Sequence, residues 1–593
     1  MTVQFGYEPS DKSPGRFLLS ERKLESVTSA AATNLQAPVT FAEELTITDW
    51  AYTISPKLNG HPLPLNQYER SSSLAISPDH QHFLLGTETR LRLFDRSGKE
   101  RWRVFAPGQT SEVNISGDGR LAVAAYADGT IRWYRISDGK ELLAFFSHVD
   151  RKRWVAWTPS GYYDASPGAE GLIGWHVNEG KDAAADFFPV GQFRATFYRP
   201  DVVGKVLEAG DEQTALRQAN EEAGRRQQQA DVSRILPPVI EIISPSDGAE
   251  ISNANVKVRY KVRTPSGEPV TAIKVLVDGR PVASERGLGL QADGQEGVIR
   301  ERGITLGENN SEVSVIAENK YTTSVPATVH VRVRGLSVAN ANEFVIKPKL
   351  YILAIGISQY ANPAYKLGYP AKDAQDFADA MMKQKGVLYR DVVVKVLINS
   401  HATKDDVEDG LDWIRKETTS KDVAMVFFAG HGINDQNGVY YFLPYNTDLE
   451  RLLRTGVPFT DIKNTVQSLA GKTLFFIDTC HSGNVLGTRR GILDDITGVV
   501  NELASAENGA VVFAASTGNQ YSLENAAWNN GAFTKALVEG INGRADYVGK
   551  GRITINMLDL YISERVKELT KGLQTPTTAK PQTMPDFPIA VKR

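Results

Sequence analysis

The sequence predicts a multidomain protein in which all-β regions precede an α/β domain, built on a mostly parallel sheet with helices on both faces. The chain has 593 residues, and one hydrophobic core usually serves only ~100–200 residues. Short strand-like segments separated by Gly, Asp and Pro turns recur between residues 70 and 335. From Leu350 onward, continuous apolar runs alternate with helical periodicity, which is the pattern of a parallel sheet covered by helices.

Composition narrows the class of protein further. The hydrophobic fraction of 41% and the charged fraction of 23% are typical of a folded globular chain. A net charge of −3 provides no overall field for attracting nucleic acid or an anionic membrane. No apolar run approaches the ~18 residues of a spanning helix, and the opening residues lack the apolar centre of a signal peptide. We therefore expect a cytoplasmic protein that binds neither nucleic acid nor membrane.

The first 200 residues contain an irregular arm and then a repeat. Residues 1–45 show no sustained period and predict an irregular N-terminal arm. Within residues 46–202, similar strand-turn-strand units begin at Ser77, Ser116 and, more weakly, Thr158. A spacing near 40 residues with aromatic strand ends resembles WD-repeat propeller blades, although generic hairpins are an alternative. Because a propeller needs ~4–8 blades, we expect either a protein partner that completes it or an open sheet.

Two further regions precede the α/β domain. Residues 203–236 are rich in Ala, Gln, Glu and Arg, and predict a solvated helical linker. Residues 237–335 alternate apolar and polar positions, with a hairpin signal at Val277-Asp278-Gly279, and predict an immunoglobulin-like β-sandwich. This region has no cluster of titratable groups, so a spacer or binding module is the expected role.

The C-terminal region, residues 346–593, carries the α/β pattern. The predicted buried strands are Leu350–Gly356, Val392–Ile398, Val423–Ala429, Leu474–Ile477 and Ala510–Ala515. A helix follows from the periodic apolar residues Ala374, Phe377, Ala378, Met381 and Met382. A second helix is predicted to begin after the capping pair Thr403/Asp406. Its apolar face contains Val407, Gly410, Leu411 and Ile414. Sites in such sheets form beyond the carboxyl ends of the strands.

The only cysteine of the chain, Cys480, lies after one of these strand ends, and His431 lies after another, 49 residues earlier. One cysteine excludes an intrachain disulfide and a multi-cysteine metal site. A thiol becomes a nucleophile when an imidazole accepts its proton, so the two residues form a candidate catalytic dyad. Gly430 and Gly432 predict tight turns beside the histidine, and the N–H groups of Gly432 and Cys480 suit an oxyanion.

Residues 346–593 resemble the caspase-like fold of the metacaspase and bacterial caspase-homologue branch. The FxxGHG element reads Phe427 to Gly432, and the D-[ST]-C-x-[SG]-G element reads Asp478 to Gly483. Further family-like pieces are Lys372-Asp373-Ala374, Ala514-Ala515-Ser516 and Gly531-Ala532-Phe533-Thr534. The sequence departs from the family at Ala429, where serine is frequent, and at Asp478, where animal caspases have glutamine. The resemblance implies a cysteine endopeptidase acting on protein or peptide substrates in regulated proteolysis.

Charge near the dyad predicts the specificity. Asp478 precedes Cys480 by two residues, so strand alternation puts the two on the same side, where the carboxylate selects a cationic substrate residue. By resemblance Asp373 joins Asp478 in the substrate pocket, although an ordinary acid at a helix start is the alternative. Arg fits a paired carboxylate better than Lys because its guanidinium bonds in bidentate fashion. Arg489-Arg490 is then a candidate self-cleavage site or an ordinary basic pair.

Several alternatives stay open at this stage. A catalytically idle interaction scaffold and a thiol-dependent peptidyl transferase using the same dyad are the rival functions. His481 is a rival base, but its side chain should point away from that of Cys480. Zinc bound by His431, Cys480 and His481 does not match the ligand spacings of structural sites. No metal or cofactor is expected, and a calcium requirement is left open.

Overall fold

The computed structural model describes residues 1–8, 13–27, 35–178, 180–181, 184–225, 231–286, 299–306, 311–333, 347–435, 438–481, 496–505, 509–516 and 522–592. Their contacts divide the chain into two compact units, residues 1–173 with 194–228, and residues 174–193 with 229–593. Residues 174–193 therefore belong with the second unit, whereas the sequence-based boundary at residue 202 assigned them to the first. Among the described residues, no helix has the length and apolarity to cross a membrane.

The first unit is mainly antiparallel sheet. Its strands are β1 (Thr2–Phe5), β2 (Gly15–Leu18), β3 (Lys23–Ser26), β4 (Ile47–Thr48), β5 (Lys57–Leu58), β6 (His61–Pro62), β7 (Ser71–Ile76), β8 (His82–Thr87), β9 (Arg90–Asp95), β10 (Glu100–Phe105), β11 (Thr110–Ile115), β12 (Leu121–Tyr126), β13 (Thr130–Arg135), β14 (Glu141–Ser147), β15 (Trp154–Trp157) and β16 (Tyr163–Ala165). Its helices are α1 (Arg194–Phe197), α2 (Pro200–Ala209) and α3 (Glu212–Glu222).

The two clear sequence repeats correspond to two antiparallel meanders, β7 to β10 and β11 to β16. A shared core that includes Leu84, Leu93, Val113 and Ala124 joins them. The chain itself covers the outer face of the first meander with residues 42–63. On the second meander, Phe17 of β2 stacks on Phe145 of β14 with ring centroids 4.3 Å apart. The WD-like assignment and its protein partner stay predictions.

Two expectations for this unit are wrong. Residues 1–45 were expected to be irregular, but Thr2–Phe5, Gly15–Leu18 and Lys23–Ser26 form the sheet β1-β2-β3. The burial of Phe17 and the buried ion pair of Arg22 with Asp164, at 2.5 Å, hold this sheet in place. The expected solvated linker helix is instead two helices separated at Gly210, where φ is +64°. They are not solvated, because α2 buries Val202 and Val206 completely.

The second unit contains a hairpin, a two-sheet β-sandwich and the α/β domain. The hairpin and sandwich strands are β17 (Gly174–Val177), β18 (Asp186–Pro189), β19 (Val239–Ser244), β20 (Ala249–Ile251), β21 (Asn255–Arg263), β22 (Ala272–Val277), β23 (Arg280–Arg286), β24 (Ile299–Thr305), β25 (Ser311–Glu318) and β26 (Ala327–Val333). Sheet β19-β21-β24 and sheet β20-β26-β25-β22-β23 share one apolar core. A sandwich is therefore present, and its immunoglobulin-like identity stays a prediction.

The strands of the α/β domain are β27 (Lys349–Gly356), β28 (Asp391–Ile398), β29 (Val423–Asn434), β30 (Tyr440–Phe442), β31 (Val457–Pro458), β32 (Lys472–His481), β33 (Ala510–Ala514), β34 (Glu524–Asn525), β35 (Asn530–Gly531), β36 (Arg552–Thr554), β37 (Thr577–Ala579) and β38 (Pro588–Val591). Its helices are α4 (Pro370–Met382), α5 (Lys404–Glu417), α6 (Leu452–Thr455), α7 (Phe459–Ser468), α8 (Thr497–Leu503), α9 (Ala532–Glu539) and α10 (Ile555–Thr570).

The central sheet has the described order β28-β27-β29-β32-β33-β37, and all neighbours pair in parallel except β37. One core packs α4, α9 and α10 on one face, and a second packs α5, α7 and α8 on the other. The predicted mostly parallel sheet with helices on both faces is confirmed. The capping box of Thr403 and Asp406 at the start of α5 is present, whereas Met382, predicted in the apolar face of α4, is 42% exposed.

The predicted Asp278-Gly279 hairpin packs against the α/β domain. Both residues have positive φ, +51° and +73°, as a two-residue turn between β22 and β23 requires. A Cβ on Gly279 would lie 2.7 Å from the carbonyl oxygen of Thr583 and 3.2 Å from the sulfur of Met584. Thr583 and Met584 are themselves buried in the segment between β37 and β38. The sandwich therefore touches the α/β domain through a turn that tolerates only glycine.

We predict that Gly279→Ala destabilises the protein by more than Gly267→Ala does. Gly267 has nearly the same φ, +72°, but nothing within 4 Å of its Cβ position, so it reports the left-handed cost of about 1–2 kcal/mol alone. Overlap with Thr583 should add about 1–3 kcal/mol to the loss for Gly279→Ala. Denaturant unfolding of the two variants measures the difference. Equal losses would show that the turn does not rest on the C-terminal segment.

Candidate active site at the ends of two parallel strands

Strands β29 and β32 pair in parallel from Val423↔Lys472 to Gly432↔His481. This register sets His431 opposite Cys480 and Ala429 opposite Asp478. The sequence predicted that the strands end at Ala429 and Ile477 and that turns carry the motif residues. That expectation is wrong, because β29 continues to Asn434 and β32 continues to His481. The candidate dyad is therefore held by the ladder of hydrogen bonds between two sheet strands.

The glycines on either side of His431 are explained by two tyrosine hydroxyls. A Cβ on Gly430, where φ is +151°, would lie 2.9 Å from the Tyr360 hydroxyl oxygen, and a Cβ on Gly432 would overlap that of Tyr440. The Tyr360 oxygen accepts a hydrogen bond from the His431 N–H at 2.8 Å. The glycines therefore permit a close approach of side chains within a continuing strand, in place of the tight turns that we expected.

His431 is 2% exposed and its imidazole is oriented by the segment before α4. Its Nε2 lies 3.0 Å from the carbonyl oxygen of Tyr365. A carbonyl can only accept, so Nε2 carries the hydrogen in this contact. In the neutral ring Nδ1 is then the nitrogen with the lone pair, and it is the atom suited to take a proton from a thiol.

Asp373 and Asp478 meet across the sheet face that α4 and α9 cover. Both are buried, at 2% and 4% exposure. Asp373 accepts hydrogen bonds from Asn530 Nδ2 at 2.9 Å and from the Gly531 N–H at 3.2 Å. A Cβ on Gly531 would lie 3.2 Å from an Asp373 oxygen and 3.1 Å from an Asp478 oxygen. The two carboxyl groups therefore share one small site, and glycine at position 531 leaves room for both.

Hydroxyl groups hold the Asp478 carboxylate from both sides. Ser522 donates to Oδ1 and Thr534 donates to Oδ2, each at 2.6 Å. Burial nevertheless raises the pKa of Asp478 above its ordinary value. The pKa of Asp373 is raised well above its ordinary value by burial and then by the negative charge of Asp478. Like charges in one buried site resist ionising together.

Glu524 is a third acid beside this pair, which the sequence reasoning missed. Its carboxylate accepts from the N–H groups of Gly368 at 2.9 Å and Tyr369 at 3.4 Å, just before α4 begins. Burial and then the charge of Asp478 raise its pKa. Glu524 lies only seven residues before the family-like Gly531 element, but no local pattern distinguishes it from a surface acid. Tyr360 and Tyr365 were missed for the same reason.

Some predicted residues cannot be placed in full. The side chains of Cys480 and His481 lie outside the described part of the structure, as do Arg489 and Arg490. The zinc alternative and the rival base His481 are therefore untested, as are the oxyanion roles of Gly432 and Cys480. Among the described side chains, no group of three His, Cys, Asp or Glu residues lies close enough to hold a metal ion.

Comparison with known proteins finds a family similarity in the C-terminal region. Residues 349–587 match the family model described as the caspase domain, which supports a cysteine-type peptidase acting on protein substrates. No curated protein matches the chain. A crystal structure of a Geobacter sulfurreducens protein is 19% identical over 39% of this chain and 94% of its own, with a TM-score of 0.29.

BamB from Moraxella catarrhalis is 16% identical over 22% of this chain, with a TM-score of 0.14. The match spans about half of BamB, 47% of its length. Neither superposition is close enough to assign a fold. The family model alone therefore supports the peptidase assignment, and it covers the central sheet with both candidate catalytic positions and all three acids.

We predict that Asp478→Asn makes the stability of the ligand-free protein less sensitive to pH. A carboxyl group whose pKa is raised on folding binds more protons in the folded state, so stability falls as pH rises from about 4 through the raised pKa. Asparagine keeps an acceptor but cannot ionise, so the fall should shrink. Thermal unfolding between pH 4.5 and 8, in a Cys480→Ala background, measures it.

Asp412→Asn is the matched control for this prediction. Asp412 lies on α5, and Lys416 and then Arg415 lower its pKa. A lowered pKa makes stability depend on pH only at or below about pH 4, so between pH 4.5 and 8 this variant should leave the slope nearly unchanged. A steeper fall with pH in Asp478→Asn would contradict the raised pKa of the pair.

Proposed function

We propose that this protein is a cysteine endopeptidase that cuts polypeptides after Arg or Lys, with His431 and Cys480 as its catalytic dyad. The observation that carries the proposal is the β29–β32 register. It sets a buried, oriented imidazole opposite the only cysteine of the chain, and that cysteine follows a buried carboxylate by two residues. The caspase-domain match over residues 349–587 supports the same reaction class.

In this proposal the thiol of Cys480 transfers its proton to Nδ1 of His431, and the sulfur attacks the scissile carbonyl carbon. Tyr365 fixes the tautomer because its carbonyl oxygen holds the Nε2 hydrogen. The N–H groups of Gly432 and Cys480 stabilise the negative oxygen of the tetrahedral intermediate. His431 then gives the proton to the leaving amine. Water hydrolyses the resulting thioester and restores the thiol.

Specificity for a basic residue follows from the paired acids. Each carboxylate offers about four acceptor positions, so Asp373 and Asp478 can each take a further donor beyond their present partners. A guanidinium has five donors in a planar fork and can bond to both groups at once. Its charge also removes the repulsion between two buried carboxylates. Arg is therefore preferred over Lys, and an acidic residue is excluded.

The β-rich regions before residue 334 fit a role in selecting substrates or partners, since the acids and the dyad all follow Leu350. We assign to them the recognition step of regulated proteolysis. Cleavage by the enzyme itself after Arg489 or Arg490 belongs to the same proposal, because both are substrates of the predicted type. Incubating the active protein and mapping new termini by mass spectrometry tests that assignment.

We predict that Cys480→Ala and His431→Ala each lower turnover of an arginyl peptide about a thousandfold or more, as loss of one member of a catalytic unit does. His401→Ala is the control, since His401 is an exposed histidine of the same domain. Initial rates with purified full-length protein measure the effect. Wild-type turnover in Cys480→Ala, with contaminating proteases excluded, would refute the dyad.

We predict that the enzyme prefers Arg over Asp before the scissile bond by at least about a hundredfold in kcat/KM, because Asp would bury a further negative charge in the acidic site. Matched fluorogenic peptides with Arg, Lys, citrulline or Asp at that position measure the preference. Product masses distinguish hydrolysis from peptidyl transfer. A preference for Asp, or for citrulline over Arg, would contradict the acid-pair pocket.

A further inference from the structure

The segment that carries Ser522 and Glu524, beside the pair of buried acids, is tied to the end of α10 by one buried side chain. Gln574 follows α10 and is 0% exposed. Its Nε2 donates to the carbonyl oxygen of Ala515 and its Oε1 accepts from the N–H of Leu523, each at 2.8 Å. Its own N–H donates to the Thr570 hydroxyl oxygen at 3.2 Å. The amide group therefore bridges two segments that are adjacent in space but not in sequence.

Both bridged residues lead directly to the acids. Ala515 donates its N–H to the carbonyl oxygen of Ile477 at 2.8 Å, and Ile477 precedes Asp478. Leu523 lies between Ser522, which donates to Asp478, and Glu524, the third acid. The carbonyl oxygen of Leu523 in turn accepts from Ala532, the first residue of α9. The distance between Asp478 and the segment that carries Ser522 and Glu524 is thus set through Gln574.

We infer that Gln574 is a positioning residue for the basic substrate side chain: it holds Ser522 and Glu524 against Asp478, so that the pocket presents its acids to a cation in one fixed arrangement. This inference rests on the proposed function. Gln574 itself does not touch the acids and acts through Leu523 and Ala515. Two hydrogen bonds from one buried amide fix both distance and orientation, which an apolar side chain of the same volume cannot do.

The chain offers a matched control in Gln384. This glutamine is 3% exposed and also forms a bidentate bridge, with Nε2 donating to the Val591 carbonyl oxygen at 3.1 Å and Oε1 accepting from the Val591 N–H at 2.8 Å. Gln384 follows the C-terminal end of α4, whereas Asp373 lies in the first turn of that helix. Its two hydrogen bonds hold the end of β38 at Val591. Gln384→Met and Gln574→Met therefore each remove one donated and one accepted hydrogen bond, with the same change of side-chain volume. Only Gln574→Met removes bonds to the segments beside the acids.

The test compares steady-state kinetics of the full-length wild type, Gln574→Met and Gln384→Met on an arginyl peptide and on its citrulline counterpart. For Gln574→Met we expect KM for the arginyl peptide to rise about tenfold, with kcat changed less than about threefold, since lost positioning weakens binding throughout the reaction. KM for the citrulline peptide and both parameters of Gln384→Met should stay within about threefold. Gln574→Glu keeps the acceptor for Leu523 and should lie between.

A second measurement separates this inference from the peptidase proposal. Millimolar L-argininamide should raise the thermal unfolding temperature of the wild type and of Gln384→Met, and should raise that of Gln574→Met much less. If the wild type cleaves neither peptide, the proposed function fails and the argininamide shift still decides the inference. Equal shifts in the two variants, no shift in the wild type, or an unchanged KM in Gln574→Met would overturn the role of Gln574.

Discussion

The parallel register of β29 and β32 is the constraint on which the candidate site depends. One ladder sets His431 opposite Cys480 and, two residues earlier, Ala429 opposite Asp478. A slip by one residue would move every side chain of a strand to the other face of the sheet. Such a slip would carry the polar residues His431 and Asp478 away from the face beneath α4, where Phe427 and Phe476 pair in the observed register. The register that packs the sheet therefore also places the dyad.

Burying three acids in one site costs electrostatic free energy. Burial raises the pKa values of Asp373, Asp478 and Glu524, and the charge of Asp478 raises those of Asp373 and Glu524 further, so the ligand-free site resists full ionisation. Hydroxyl, amide and backbone N–H donors from residues 522–534 offset part of that cost. Under the proposed function, a cationic substrate side chain relieves the remainder. In that proposal, stability of the empty protein and affinity for a basic side chain oppose each other, as is usual at functional sites.

Local pattern was enough to predict five strands of the central sheet and the two helices α4 and α5. The capping box of Thr403 and Asp406 and the hairpin at Asp278-Gly279 are local signals, and both are present as predicted. The same reasoning ended β29 too early, since glycine usually weakens a strand. The contact that explains this glycine is not local: Tyr360, 71 residues before His431, fills the space beside Gly430.

The residues that sequence reasoning missed share this property. Glu524 contacts Gly368 from 156 residues away, and Gln574 reaches Ala515 from 59 residues away. Such contacts arise from the topology of the sheet and leave no periodic trace in the chain. The sheet β1-β2-β3 was missed because its strands have only four residues each, too few to show alternation. Asp373 and Asp478, by contrast, could be proposed from a motif and from strand alternation.

The most direct test of the central claim is a crystal structure of the protein treated with a peptidyl arginine aldehyde. The account predicts a hemithioacetal between the aldehyde carbon and Sγ of Cys480, with His431 beside the adduct. It also predicts that the guanidinium donates to the carboxylates of both Asp373 and Asp478. An adduct whose guanidinium lies in solvent, or which forms at a residue other than Cys480, would contradict the account.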